Sequence, residues 1–315
     1  MKDNMDLLRS CTICPRQCKV NRLEGSVGFC HIAGKIIIAH AGPHYGEEPP
    51  ISGTSGSGTV FFSFCNLRCL FCQNYQISQE GQGDEISTDT LADTFIALQD
   101  KGCHNINLVS PTPYIPHIIT ALKTAKKNGL SIPVVYNTNA YESPRALKML
   151  EGLIDIFLPD FKYWNDAIAE KLSGIPKEKP YAKHAKGAIL EMKRQVGDLK
   201  IVNGLAQKGL LIRHLVLPGG LAGTADVFRW VAEHLGTETQ ISLMSQYYPA
   251  YKAQTFPILR RKIRQEEYDA ATNCLFDLGF RNVFVQILES SELFVPDFEE
   301  QEPFEARCKE QGSEG

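Results

Sequence analysis

Four absences narrow what this 315-residue chain can do. No apolar run reaches the length of a membrane span. Neither sign of charge dominates: 33 Lys and Arg stand against 36 Asp and Glu, a net charge of −3. There is therefore no basic footprint, and neither nucleic acid nor an anionic membrane is an expected partner. The polar, charged start MKDNMDLLRS is not a secretory signal, so the expected location is the cytoplasm, where disulfides rarely form. Finally, no acid–base dyad or nucleophilic triad stands out. What remains, 43% apolar and 22% charged, is an ordinary composition with length for one large α/β domain or two small ones.

Ten cysteines in such a chain need a reason, and in a reducing compartment clustered thiols point to metal. Seven fall into two groups, Cys11, Cys14, Cys18 and Cys30, then Cys65, Cys69 and Cys72. Cys103, Cys274 and Cys308 are isolated and read as inert filler.

Apolar, strand-like runs recur at 59–64, 105–110, 132–137, 154–159, 211–217 and 241–246, with helix-like runs between them, several ending in glycine. That alternation predicts an α/β fold, a partial (β/α)6 parallel barrel, with chemistry gathered at the C-terminal strand ends. NVFVQI (282–287) is expected to close an edge. Residues 1–50 are expected to form a small cysteine-rich metal-binding module, 51–295 the barrel, and 296–315 a poorly ordered acidic tail. SGTSGSGT (52–59) reads as a flexible linker or as a glycine-rich loop approaching a ligand. The basic run RRKIR (260–264) reads as a solvated face or as a docking patch for an acidic partner.

FFSFCNLRCLFCQNYQIS, from Phe61, places three thiols in one loop at the end of a strand. Structural zinc takes four protein ligands, and no fourth Cys or His follows nearby. A 4Fe–4S cluster gives the number three a meaning: three irons take cysteines and the fourth stays open for another ligand. CNLRCLFC, a Cys-x3-Cys-x-aromatic-Cys motif directly after the first strand of a βα series, resembles the radical S-adenosylmethionine superfamily, with Phe71 as the aromatic residue. The resemblance implies a 4Fe–4S cluster whose open iron binds the amino and carboxylate groups of S-adenosylmethionine. It also implies reductive cleavage of that cofactor to a 5′-deoxyadenosyl radical, which abstracts hydrogen from substrate.

Within the superfamily the chain most resembles the pyruvate formate-lyase activating enzyme group. LPDFK (158–162) is similar to that group's D-x-K stretch, and LIRHLVLPGG (211–220) to its fifth strand and turn, with Arg213 and His214. The resemblance suggests Lys162 on the methionine carboxylate and Asp160 orienting it or meeting the ribose; the bland alternative is a surface ion pair. Many members carry a Gly-Gly-Glu-like stretch after the second strand. Here SPTPY (110–114) stands in its place, with Ser110 and Thr112 as oxygen donors and no carboxylate. Asn137, Asn139 and Gln246, at later strand ends, are further candidates for holding cofactor or substrate.

The N-terminal spacing, C-x2-C-x3-C-x11-C, offers four ligands, and both a zinc knuckle and a second, electron-relaying 4Fe–4S cluster fit it. Three functions follow: an activase making a glycyl radical on a large protein, a radical enzyme acting on a peptide or small molecule, or a non-catalytic iron–sulfur electron carrier. The first two imply an electron donor such as flavodoxin or ferredoxin.

Overall fold

The apolar runs become strands because their β-branched and aromatic residues suit a sheet buried on both faces. The computed structural model describes residues 4–288, 296–300 and 303–304. Among them are β1 (Ile36–His44), β2 (Ser57–Phe62), β3 (Asp84–Ile86), β4 (Ile106–Val109), β5 (Val134–Thr138), β6 (Ile156–Pro159), β7 (Lys200–Val202), β8 (Leu205–Leu215), β9 (Gln240–Met244) and β10 (Val283–Val285). The order across the sheet is β10-β9-β8-β6-β5-β4-β2-β1-β3. From β2 to β10 every pair on this path is parallel, as the expected partial barrel requires. β10 lies at the edge, where NVFVQI was expected.

Helices cover the outer face, and their ends carry ordinary signals. In Thr88–Asp100, Ser87 Oγ accepts from Thr90 N (3.0 Å), and Leu91, Phe95 and Leu98 form the buried stripe. Ile115–Lys127 has Pro116 in its first turn and Lys126 and Lys127 in its last. The outer core packs these helices against Val60, Phe62, Leu108, Tyr136 and Phe157. A second cluster, Ile51 with Val135, Ile156, Leu158 and Leu211, fills the barrel interior. Among the described residues no helix is long and apolar enough to cross a membrane.

The structure differs from the sequence reading in four places. β1, within the stretch assigned to the N-terminal module, pairs antiparallel with β2 (Ala41↔Val60), so module and barrel share one sheet. SGTSGSGT is neither linker nor ligand loop. It is a packed turn at the start of β2, the end away from the cysteines, where Thr54 N and Ser55 N bond His104 Nε2 at 3.2 and 3.0 Å. β8 begins six residues before the expected strand because Asn203-Gly204, both at positive φ, makes a tight β7–β8 hairpin. Finally, part of the expected tail packs down: Phe298 and Phe304 lie 5.4 and 5.3 Å from Phe61 between ring centroids. Cys308 and the rest of that tail lie outside the described residues. In the basic run, Arg261 is spent on a two-pronged bond to Glu267 (2.7 Å each).

Candidate functional site

Successive strand residues point to opposite faces, so each strand sends alternate side chains inward. Phe61, Val109, Asn137, Arg213, Ser242 and Met244 therefore wall one cavity, joined just past the strand ends by Ser110, Asp160, Lys162 and Gln246. Its volume is ≈ 640 Å³, within the roughly 300–1,000 Å³ usual for small-molecule sites.

The three-cysteine loop borders this cavity with all its thiols. Phe64, at φ +64°, turns the chain out of β2, and Phe64 N bonds Ile77 O at 2.8 Å. Arg68 N and Leu70 N then bond Ser173 O (3.1 Å) and Leu172 O (2.8 Å), pinning the loop to the helix Asp166–Ser173. Each sulfur has a polar neighbour. Leu67 N and Asn139 Nδ2 donate to Cys65 Sγ at 3.4 and 3.3 Å, Ser173 Oγ is 3.0 Å from Cys69 Sγ, and Ser78 Oγ is 3.1 Å from Cys72 Sγ. Burial pushes the Cys65 thiol up to about 12 and the Cys72 thiol to about 11. Such thiols are not activated nucleophiles. Binding a metal centre would take their protons and make them thiolates. Three thiols, Cys69 buried and Cys65 and Cys72 partly buried, each with a polar neighbour within hydrogen-bond distance, fit a 4Fe–4S cluster, whose potential is set by such contacts.

Asp160 and Lys162 form no surface pair. Their side chains are 20% and 18% exposed, and Lys162 Nζ donates to Asp160 Oδ2 at 2.7 Å inside the cavity wall. Burial alone would lower the Lys162 pKa, but the Asp160 carboxylate overrides it and the net shift is upward. Lys162 lines the same cavity as Cys69 and Cys72. Tyr181 Oη fixes the strand end by sharing its one proton between Asp160 O (2.8 Å) and Asn139 O (2.9 Å) while accepting from Lys162 N (2.9 Å).

Arg213 reaches the cavity but is already engaged. Its Nε and Nη2 grip Glu48 at 2.8 and 2.6 Å, and Nη2 also meets Glu47. Burial would raise Glu48; the guanidinium instead holds it below the ordinary carboxylate range. Asn107 Nδ2 completes the group at Glu47 Oε1, 2.8 Å away. Glu47 and Glu48 were not anticipated, because GEEPP in sequence looks like the end of a module. With Asp160 and Lys162 cancelling, two carboxylates against one guanidinium leave the cavity net negative, suited to a cationic ligand.

The remaining candidates divide. Phe71 packs on Tyr247 (5.6 Å), Gln246 Oε1 accepts from Gln286 Nε2 (3.1 Å), and Asn139 reaches Asn66 Oδ1 (2.8 Å) as well as Cys65. All three border the cavity, as do Ser110 and Asn137. Ser110 adopts φ +58°, a conformation glycine takes most readily, at the place where the Gly-Gly-Glu-like stretch is expected. Thr112 does not reach the site: its buried hydroxyl donates to Glu142 Oε1 at 2.5 Å, because the 3-10 turn Thr112–Tyr114 swings it outside the barrel. His214, next to Arg213, faces outward by the same alternation and bonds Phe161 O and Thr224 Oγ1 at 2.7 and 2.9 Å. Cys11, Cys14, Cys18 and Cys30 do not line the cavity.

Two buried groups outside the cavity oppose each other in pH. Burial pushes His214 down to about 4, so its stabilisation is complete above the ordinary histidine value near 6.5 and fades as pH falls through 4. Burial raises Glu142 to about 7, so its stabilisation is complete below 4.5 and fades as pH rises through 7. Glu142→Gln should therefore make unfolding free energy climb more steeply between pH 4.5 and 6.5 than in the parent. The added slope should be roughly one kcal/mol per pH unit, the worth of one proton. Parallel curves from denaturant titrations would show that Glu142 is ionised across this window.

A partial parallel barrel whose first βα loop presents three thiols to a central cavity defines an iron–sulfur enzyme scaffold. Residues 59–188 match the family model of the radical SAM superfamily. An uncharacterized protein of Methanocaldococcus jannaschii is 32% identical over 273 residues, 84% of this chain and 74% of the relative. A second from that organism is 24% identical over 295 residues, 87% of this chain and 80% of the relative. The crystal structure of a radical SAM methyltransferase from Sphaerobacter thermophilus shares the fold, with TM-score 0.50, 14% identity, and coverage of 72% of this chain and 65% of that one. The chain spans 54%, 65% and 49% of three solved chains it matches. The protein belongs to the radical SAM superfamily.

Proposed function

We infer that this is a cytoplasmic enzyme that reductively cleaves S-adenosylmethionine and abstracts hydrogen from a polypeptide, in the manner of a glycyl-radical activase. A low-potential flavodoxin or ferredoxin is the proposed electron donor. When bound, the 4Fe–4S cluster supplies one electron to the sulfonium, giving methionine and the 5′-deoxyadenosyl radical. Cys65, Cys69 and Cys72 hold the cluster. Lys162, oriented by Asp160, meets the methionine carboxylate; Ser110 and Asn137 offer oxygens on the same wall. Phe61, Phe71 and Val109 exclude water. The carrying observation is the meeting of the three thiols and the Lys162–Asp160 pair in one cavity. What supports a polypeptide substrate is that the cavity rim already seats a peptide segment. Phe298 N and Asp297 Oδ1 bond the Gln76 side chain at 3.0 and 3.1 Å, while Phe304 stands in the wall.

Anaerobically reconstituted protein with dithionite should convert S-adenosylmethionine to methionine and 5′-deoxyadenosine. Lys162→Ala should weaken cofactor binding ten- to a hundred-fold, a charged hydrogen bond being worth about 1.5–3 kcal/mol. Cleavage absent from the parent protein would leave the electron-carrier function. A candidate glycyl-radical protein should gain an organic radical signal, and deuterium from a labelled backbone glycine should appear in 5′-deoxyadenosine. Deuterium arriving only from a small molecule would displace the polypeptide.

A further inference from the structure

The N-terminal cysteines form a second thiol nest beside the first. Hydrogen bonds Cys11 N–Val20 O (3.0 Å), Lys19 N–Cys11 O (2.9 Å) and Gln17 N–Cys14 O (3.1 Å), with Gln17 and Lys19 at positive φ, curl residues 11–19 into a tight loop. The strand of chain leading to Cys30 presses on it: a Cβ at Gly28 would stand 2.9 Å from both Cβ and Sγ of Cys18. Three of the thiols thus lie on one curled loop, and the segment that ends in Cys30 packs on it at Cys18.

Two guanidiniums flank this nest, and among the described residues neither meets a carboxylate. Arg22 is 1% exposed; its Nε and Nη1 bond only the carbonyls of Ala33 (3.0 Å) and Pro113 (2.7 Å), and its buried Nη2 has no partner. Its charge reaches Cys30. Half-buried Arg16 bonds the carbonyls of Asn66 (2.7 Å) and Gly174 (2.8 Å) and lies 3.3 Å from the Phe29 ring centroid. A buried cation without an anion is strongly unfavourable. Four thiolates around either Zn²⁺ or an oxidised 4Fe–4S core carry two net negative charges, which matches these two cations.

We propose that Cys11, Cys14, Cys18 and Cys30 bind a second, tetrathiolate metal centre whose charge is balanced by Arg22 and Arg16. The centre abuts the radical loop, since Arg16 holds the carbonyl of Asn66, next to Cys65, and its charge neighbours include Cys14, Cys18 and Cys65. Among the described residues no three His, Cys, Asp or Glu side chains converge on a single ion, at either cysteine group. Binding would require these thiols to close up on one ion or to bridge a cluster.

The test is metal analysis of a chain carrying Cys65→Ala, Cys69→Ala and Cys72→Ala, which has no radical centre. About one zinc or about four irons per chain should remain, and adding Cys14→Ala should remove them. Zinc without visible absorbance marks a structural site; iron with a broad band near 400 nm marks a cluster. Neither metal in stoichiometric amount, or metal that survives Cys14→Ala, overturns the proposal. If the triple variant does not fold, the parent minus Cys14→Ala should show the same difference in metal. Arg22→Met should release the metal to a chelator about tenfold more readily than Arg22→Lys, which keeps the charge; equal release overturns the role of Arg22.

Discussion

Alanine at Cys65, Cys69 or Cys72, one at a time, is expected to abolish cleavage of S-adenosylmethionine, the largest effect of any substitution in this chain. Each sulfur occupies a separate polar niche, with Asn139 and Leu67 N at Cys65, Ser173 at Cys69 and Ser78 at Cys72. No neighbouring thiol can take a lost ligand's place, because the N-terminal four do not line the cavity. Bound iron should fall by about four per chain. Cys103→Ala is the matched control. That thiol is buried at 2% exposure on the far side of β2, close enough that a Cβ at Gly58 would stand 3.1 Å from its Cβ. It should lose about 1 kcal/mol of stability or less and keep full cleavage. Cleavage retained in all three site variants would refute the cluster assignment.

Arg213→Met should produce the largest loss of stability, about 3–5 kcal/mol in chemical denaturation. The substitution keeps much of the side-chain volume and leaves Glu47 and Glu48, 7% and 6% exposed, facing each other in the barrel interior. The energy at stake is mostly that of two stranded carboxylates and not the worth of the ion pairs themselves. Adding Glu47→Gln and Glu48→Gln should therefore recover most of the loss. A single-variant loss under about 1 kcal/mol would mean that water or protons reach these carboxylates freely.

Much of this could be read along the chain because both signals are local. Strand-like runs are set by local composition, so they put Asn137 and Gln246 at strand ends, while the family resemblance supplied Asp160 and Arg213; all four border one cavity. The cysteine spacing is likewise carried within eight residues, 65–72. The Asn203-Gly204 hairpin is an equally local signal: the dipeptide is a favoured type I′ turn, and β8 is longer as a result. Thr112 shows the limit of placing a residue by its position past a strand end. Once the chain leaves β4, hydrogen bonding decides direction, and Glu142 claims the hydroxyl.

The sequence by itself determined the parallel strand–helix alternation, the three-thiol loop after β2 and the strand-end positions of Asn137, Asn139 and Gln246. These follow from periodicity and ligand count within short windows of chain. Tertiary structure alone decided what crosses long separations. It carried Glu47 and Glu48 into the barrel to meet Arg213, 165 residues or more away. It set Asn139 against Cys65, 74 residues earlier, and tied Arg16 to the carbonyl of Asn66, next to Cys65. It also brought Phe298 and Phe304 back over Phe61. Buried charge explains the first of these. A carboxylate in sequence carries no mark of which guanidinium will neutralise it, and only the folded interior, where an unpaired charge is prohibitive, makes the choice.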